Sequence, residues 1–579
     1  MAYLFSLALG PAQQFIAAAR RTRDLWFSSW LLSELSKAAA REIGKDRLIF
    51  PFVDDDGELK PESEFNVVNK ILAKVDDDPR RLGESVKAAV RKRLDEIRDK
   101  AFGRLPDGSC NLDKAKAQVD DLPEIYWAAV PLDGDYAQAR HRVEALLAAR
   151  KNTRDFGPTD KWRGNEWKSA LDGLRESVIR KRSRKILSLG IKEKEELCGV
   201  GLLKRLGEPG SRKEDEGFAS VPHIAAWPLI QSFGDRHKKA LGEYVDFLRE
   251  KGVAKAALYC PTWPRREIFP NDGHILFEQQ LREYFDETAQ ATELEQAREK
   301  LRELLRKEIG AAPSPYYTIL LADGDRMGEV IDAQGNEGEH KKLSRALSQF
   351  AGEARKIVSN HYGSMIYAGG DDVLALVPLS TVIQCARQLA DAFKDRLKDF
   401  KTMKGESPSL SIGVGVSHQM EPLEDALSLA REAEKDAKKL NGKNALCVKV
   451  SKRSGTITTT VDHWDALDKR LDYFTLLHLA DAVPDGAAYE LRELASQLQQ
   501  IPEAIKPEAI RILQRKHARK GEKELEAGIV EKLKGMIKPD NLASLADELI
   551  VARLLAEAKM KSGMTAEQAI ASLQKESAK

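Results

Sequence analysis

The chain has 579 residues, 32% of them charged, with 93 Lys and Arg against 91 Asp and Glu and a net charge of +2. That length exceeds what one hydrophobic core serves and predicts three to four domains. The charge balance excludes a globally basic nucleic-acid binder and leaves room only for local basic surfaces. Five cysteines (Cys110, Cys198, Cys260, Cys385, Cys447) are scattered with no CxxC, which argues against a disulfide framework and a zinc knuckle and makes reduced, intracellular thiols the expectation.

In chain order, the N-terminal stretch to Pro11 lacks a basic n-region and is too short to span a bilayer, so it reads as a first β-strand in a cytoplasmic protein with no membrane partner. Residues 12–43 carry one long helical pattern through Phe15, Ile16, Ala19, Trp26, Leu31, Leu32 and Leu35, with Pro11 at its start and Gly44 just past its end. β-runs at 47–53 and 125–132, a charged helical insertion near 80–120 and a helix at 136–151 make residues 1–151 an α+β unit. Residues 152–312 predict a mainly helical domain with a basic run at 180–185 and a charged helix from Glu283 to Ile309. The stretch Ala311-Ala312-Pro313-Ser314-Pro315 is the clearest linker.

Beyond it the pattern becomes regular. A strand at 316–322, a helix at 339–361, a hairpin at 364–378, a helix at 380–398 and a strand at 409–417 follow in turn. A helix at 422–441, striped by Leu423, Ala426, Leu427, Ala430, Ala433 and Ala437, and a strand at 445–450 close the unit. That order, over 313–455, is a ferredoxin-like palm with an appended helix and strand. The chain reads as helical from 456 to 579, with a Lys/Arg patch at 515–523. The fold class is α+β: two ferredoxin-like, palm-type domains plus two mainly helical ones.

Chemistry concentrates in two places. The hairpin bends around Gly369-Gly370-Asp371-Asp372, whose glycines permit positive φ and close approach of a phosphate to the backbone. Two adjacent carboxylates repel by roughly 4 kcal/mol at about 4 Å in a medium of dielectric about 20, and a divalent cation is their natural partner. The strand before it ends in Asp323-Gly324-Asp325. In a β-α-β-β core that first strand is central and lies beside the hairpin strand that leads into 369–372, so Asp323 falls beside Asp371 and Asp372, an arrangement suited to two Mg²⁺ or Mn²⁺ ions. Asp325, one strand period on, is an acid behind these ligands. Each motif also has a plain structural reading: a hairpin turn, and a strand end that caps the next helix. Lys438 either reaches over the sheet end to a triphosphate or pairs with Glu434 on a solvated helix face. Arg20, Arg21 and Arg23 read equally as a face packed on its own domain or as an outside contact. Trp26, Trp30, His223 and His361 read as packed residues.

The run Asp323-Gly324-Asp325-Arg326-Met327-Gly328, then Tyr367-Ala368-Gly369-Gly370-Asp371-Asp372, Ser411-Ile412-Gly413-Val414 and Ala437-Lys438-Lys439, resembles nucleotide-cyclase palms in that order. Together with Gly10–Ile16, Ala19–Trp26, Leu31–Ser33 and Pro222–Ala226, it resembles the large subunit of type III CRISPR effector complexes in the Cmr (type III-B) lineage. The resemblance implies a target-RNA-activated nucleotidyltransferase that turns ATP into cyclic oligoadenylate. Asp323, Asp371 and Asp372 would be catalytic and hold two metal ions, with nucleotide on Gly324, Asp325, Gly369, Gly370 and Lys438. It also implies partners: CRISPR RNA, target RNA, a small helical subunit and the subunit that binds the guide end. Many members begin with an HD nuclease domain. This sequence contains no His-Asp dipeptide, so DNA cleavage is not expected of it, and a lone Cys198 in place of four cysteines predicts no structural zinc. Two other readings stand beside this one. One is an inert-palm scaffold that organises guide RNA and partner subunits; the other is a diguanylate-cyclase-like enzyme, poorly matched by Val373 after Asp372.

Overall fold

The computed structural model describes residues 1–153, 167–181, 186, 189–192, 194–208, 219–253, 267–285, 290–453, 455–484, 486–517 and 527–577. Most of the basic run at 180–185, most of the patch at 515–523, and Cys260 lie outside the described residues.

The first α+β unit is a four-stranded antiparallel sheet in the order β2-β3-β1-β4, from β1 (Tyr3–Gly10), β2 (Leu48–Phe50), β3 (Lys70–Val75) and β4 (Glu124–Pro131). The side-chain period of two divides β1 between two cores. Phe5, Leu7 and Leu9 pack on Phe27, Leu31 and Leu35 of α1 (Thr22–Ile43) and on Val86, Val90 and Leu94 of α2 (Pro79–Phe102). Leu4 and Ala8 face Ala139, Val143 and Leu147 of α3 (Tyr136–Asn152).

Three expectations change here. The pattern at 12–43 is two helices, Gln13–Ala17 and α1, because the buried Lys204 ammonium takes the carbonyls of Phe15 and Ala18 and Arg21 turns extended. The β-run at 47–53 shortens to three residues. The inner strand β3 is not expected from the sequence, since Lys70 and Lys74 dilute a run of only six residues. The insertion near 80–120 is α2 and a helix at Leu112–Asp120. Arg21 and Arg23 pack on their own chain, Arg23 on Glu208 at 3.3 Å, and Trp26 stacks on Trp30.

The helical segment contributes Gly199–Leu206, Val221–Gln231, Asp235–Glu250 and Ala291–Glu303. The charged helix expected from Glu283 thus begins at 291, and its last turn widens into a π-helix over Leu304–Ile309.

The second sheet has the order β10-β9-β8-β5-β7-β6, from β5 (Tyr316–Asp325), β6 (Ser364–Gly369), β7 (Asp372–Val377), β8 (Ser409–His418), β9 (Ala445–Val450) and β10 (Thr458–His463). Its β6-β7-β5-β8 core repeats the strand order of the first unit, and β5 is central as the sequence predicts, but its hairpin neighbour is β7, which leaves the acidic turn, and not β6, which leads into it. β9 joins β8 in parallel. β10 carries the sheet past residue 455 into a stretch that reads as helical from sequence; its three threonines hold a β-branched edge strand.

One face of this sheet packs on α4 (Glu337–Asn360) and α5 (Val382–Leu397), joined by the C-terminal α7 (Leu467–Leu479) and α8 (Leu542–Lys561). The other face receives Ile224, Trp227 and Ile230 of the helical segment and Leu423, Ala426, Leu427 and Ala430 of α6 (Leu423–Lys439). The two α+β units meet directly. Tyr136 Oη and His340 Nδ1 lie 2.8 Å apart, Phe52 N donates to Ser344 Oγ at 2.7 Å, and Arg345 pairs with Asp54 at 3.0 Å. Among the described residues no helix is long and apolar enough to cross a membrane.

Candidate active site

Strand register brings the acids together. Ala322 pairs with Val373, so the residues just beyond, Asp323 on β5 and Asp372 at the head of β7, emerge at the same sheet end. Gly369 pairs with Asp372, leaving Gly370 and Asp371 as a two-residue turn. Gly370 has φ +64°, the backbone that glycine tolerates at the first position of such a hairpin. One carboxylate oxygen each from Asp323, Asp371 and Asp372 lies within 4.8 Å of the others.

Desolvation holds Asp371 and Asp372 above the ordinary carboxylate range, and the charges of Asp371 and Glu434 push Asp372 further. Crowded acids that resist ionisation are a site that gains from a cation.

Lys438 supplies a cation to the cluster. Its ammonium pairs with Asp323 and lies 3.6 Å from Glu434. Both sequence readings of this residue therefore meet in one place: it keeps the helical i,i+4 pair and also reaches the sheet end. Burial, then the neighbouring Lys443, lowers its pKa to about 8. Glycines in β8 make that reach possible. A Cβ on Gly413 would stand 2.1 Å from the backbone nitrogen of Glu434, and one on Gly415 2.9 Å from that of Ala430, so α6 lies directly on the strand.

Asp325 is elsewhere. Its fully buried carboxylate accepts from Ser409 Oγ at 2.7 Å, Ser411 Oγ at 2.9 Å and Asn444 N at 3.0 Å. Rather than facing a nucleotide, it ties the loop after α6 to the strand ends. Gly324 and Gly369 are buried against side chains, Gly324 on Asp371 and Gly369 on Tyr367 and Val68.

Two participants escaped the sequence reading. Glu434, raised above the usual carboxylate range by burial and then by Asp325, adds a fourth acid near the cluster. Its only signal was its spacing from Lys438. The loop around Asn66 and Val68 of the first unit touches the acidic turn and carried no signal, for the contact spans about three hundred positions.

Comparison with known proteins fits this geometry. Residues 4–152 match the CRISPR-associated protein Cmr2 N-terminal family, and residues 316–447 match the Cas10/Cmr2 second palm domain. The chain is 26% identical over 574 residues to the CRISPR system Cmr subunit Cmr2 of Pyrococcus furiosus, covering 80% of this chain and 63% of that protein's length. In fold it resembles a subunit of a type III-B Cmr-beta assembly in the apo state (TM-score 0.62, 14% identity, 91% of this chain and 78% of that one). It also resembles one in Cmr-beta bound to cognate target RNA (TM-score 0.63, 15% identity, 96% and 83%). The two family matches run in chain order and the second encloses the three acids: residues 4–152 resemble the Cmr2 N-terminal domain and residues 316–447 the Cas10/Cmr2 second palm domain of type III-B CRISPR systems.

Proposed function

We propose that this chain is the nucleotide-converting subunit of an RNA-guided antiviral effector, turning ATP into cyclic oligoadenylate when target RNA binds. The observation that carries the reading is the convergence of Asp323, Asp371 and Asp372 within 4.8 Å at one sheet end, with Lys438 beside them. Three hard oxygen donors offset by one lysine fit a pair of Mg²⁺ or Mn²⁺ ions better than they fit an empty turn. When bound, such ions supply Lewis acidity to a 3′-hydroxyl and to the departing pyrophosphate.

The chain's own residues do the rest. Asp323, Asp371 and Asp372 would hold the ions. The backbone at Gly370 leaves room for phosphate, whereas Gly369 is filled by Tyr367 and Val68. Lys438 exchanges its carboxylate partner for a triphosphate oxygen, and Asp325 holds the loop that ends the lysine's helix. No side-chain base is required. The partners of this reading are guide and target RNA, a small helical subunit and the guide-end subunit, in the cytoplasm.

The test is reconstitution of the complex with guide and complementary RNA, ATP or GTP, and Mg²⁺ or Mn²⁺, with products resolved by mass. Cyclic adenylates that vanish in Asp371→Ala/Asp372→Ala are expected. A guanylate dimer would instead make it a diguanylate-cyclase-like enzyme, and no product with target RNA still bound would leave a scaffold.

A further inference from the structure

We propose that a buried charged network in the first unit, Glu34, Lys37 and Arg93, positions the Gly369–Asp372 turn through the loop at 62–68, with Asn66 and Val68 as positioning residues for the acids. The inference rests on the reading of those acids as metal ligands.

The network is costly and its purchase is local. The side chains of Glu34 and Lys37 are 1% and 3% exposed and pair at 2.6 Å on α1, and Arg93 of α2 closes on Glu34 at 2.8 Å. Buried ion pairs seldom stabilise a fold over an apolar replacement, so what they hold in place is the informative question. Here they hold a loop. The Glu62 amide donates to both Glu34 oxygens, at 3.1 and 3.0 Å. The Lys37 ammonium donates to Ser63 O at 2.9 Å and to Ser63 Oγ at 3.1 Å. One turn away on α1, Ser33 Oγ accepts from Val67 N at 2.9 Å. The segment is thus fastened to α1 at both ends.

Its far side rests on the acidic hairpin. Asn66 Nδ2 donates to Ala368 O at 3.4 Å. A Cβ on Gly369 would stand 2.8 Å from a Val68 methyl, so the bare glycine lies directly on that valine. The position a Cβ would take on Gly370 is 3.8 Å from Phe50 and 3.9 Å from Val68. Behind the turn a cavity of about 70 Å³ opens among Phe50, Phe65, Asn66, Val68 and Leu347. Leu347, Ala351 and Arg355 of α4 line the other side of that cavity, and the turn meets the first unit at Asn66 and Val68.

Three full-length proteins test this: Asn66→Ala/Val68→Ala, which removes the contact; Glu34→Gln/Lys37→Met, which removes both charges together; and the unaltered chain. Circular dichroism and melting report the fold, and Mn²⁺ electron paramagnetic resonance reports the acids independently of turnover. The expected result is an Mn²⁺ affinity lower by about tenfold in both variants, because ligand sets tolerate little displacement, with the circular dichroism spectrum unchanged. Should the charge-pair variant fail to fold, the Asn66/Val68 variant alone decides. Affinity within twofold of the unaltered chain in the Asn66/Val68 variant overturns the inference while leaving the metal site standing. An unaltered chain that takes up no Mn²⁺ overturns the reading of the site and this inference with it.

Discussion

Gly324 lies on β5 and Asp371 in the hairpin turn between β6 and β7, yet a Cβ on Gly324 would lie 2.7 Å from the Cβ of Asp371 and 2.8 Å from its Oδ2. Gly324 serves the site by what it lacks, since its bare Cα is what lets the turn close on the end of β5. Gly324→Ala is expected to push Asp371 out of the cluster and weaken Mn²⁺ binding by about tenfold or more, at a stability cost of about 1–3 kcal/mol for the added methyl. Mn²⁺ titration beside a melting curve checks both halves.

Neutralising the acids has the opposite effect on the fold. Asp371 and Asp372 are held above their ordinary range mainly by desolvation, so in the metal-free protein their ionised forms oppose folding. Asp371→Asn/Asp372→Asn is expected to raise the melting temperature of the metal-free chain at pH 8 while abolishing both Mn²⁺ binding and product. A fall in melting temperature would contradict this account. Asp325→Ala differs: it strips the partner from Ser409, Ser411 and Asn444 and is expected to destabilise by about 2–4 kcal/mol.

Lys438 competes with metal for Asp323. Lys438→Met is therefore expected to raise Mn²⁺ affinity in the absence of nucleotide by about tenfold, ~1.4 kcal/mol, while lowering affinity for ATP. Calorimetric titration of metal with and without ATP separates the two. A metal affinity that falls would mean the lysine supports the ligand set rather than opposing it.

The contact between the two units carries a pH dependence. His340 of α4 is buried beside Tyr136 of α3, and burial, then Arg140, lowers its pKa to about 4, with Glu144 opposing and Lys70 adding to the shift. The unfolded value is near 6.5. The folded protein thus binds fewer protons between these limits, so the stabilisation is full above about 6.5 and is lost as pH falls toward 4. Its upper bound is about 3 kcal/mol. Proteolysis across pH 7.5 to 5 is expected to show loosening of the contact between the units, and His340→Gln is expected to flatten that dependence.

The acidic cluster was legible because its logic is local. Asp323 lies on a strand that any β-α-β-β core makes central, and Asp371 and Asp372 adjoin one turn. The helices α4, α5 and α6 were legible from their apolar stripes, to within three residues. Strand β3 was hidden because its lysines interrupt a short run, and β10 because polar threonines on an edge resemble a loop. The break before α1 depends on Lys204, nearly two hundred residues away. What Asp325 does was hidden for the same kind of reason, since its partners arrive from β8 and from the loop after α6.

The Glu34–Lys37 pair leaves a mark on descent as well as on geometry. Losing Glu34 alone strands the buried Lys37 ammonium and takes a partner from Arg93, which costs about 3–5 kcal/mol, whereas losing Lys37 leaves Glu34 still paired with Arg93. The constraint on drift therefore falls most heavily on the shared acid. Across related sequences position 34 is expected to change in concert with 37 and 93 or not at all, a pattern that inheritance alone can record.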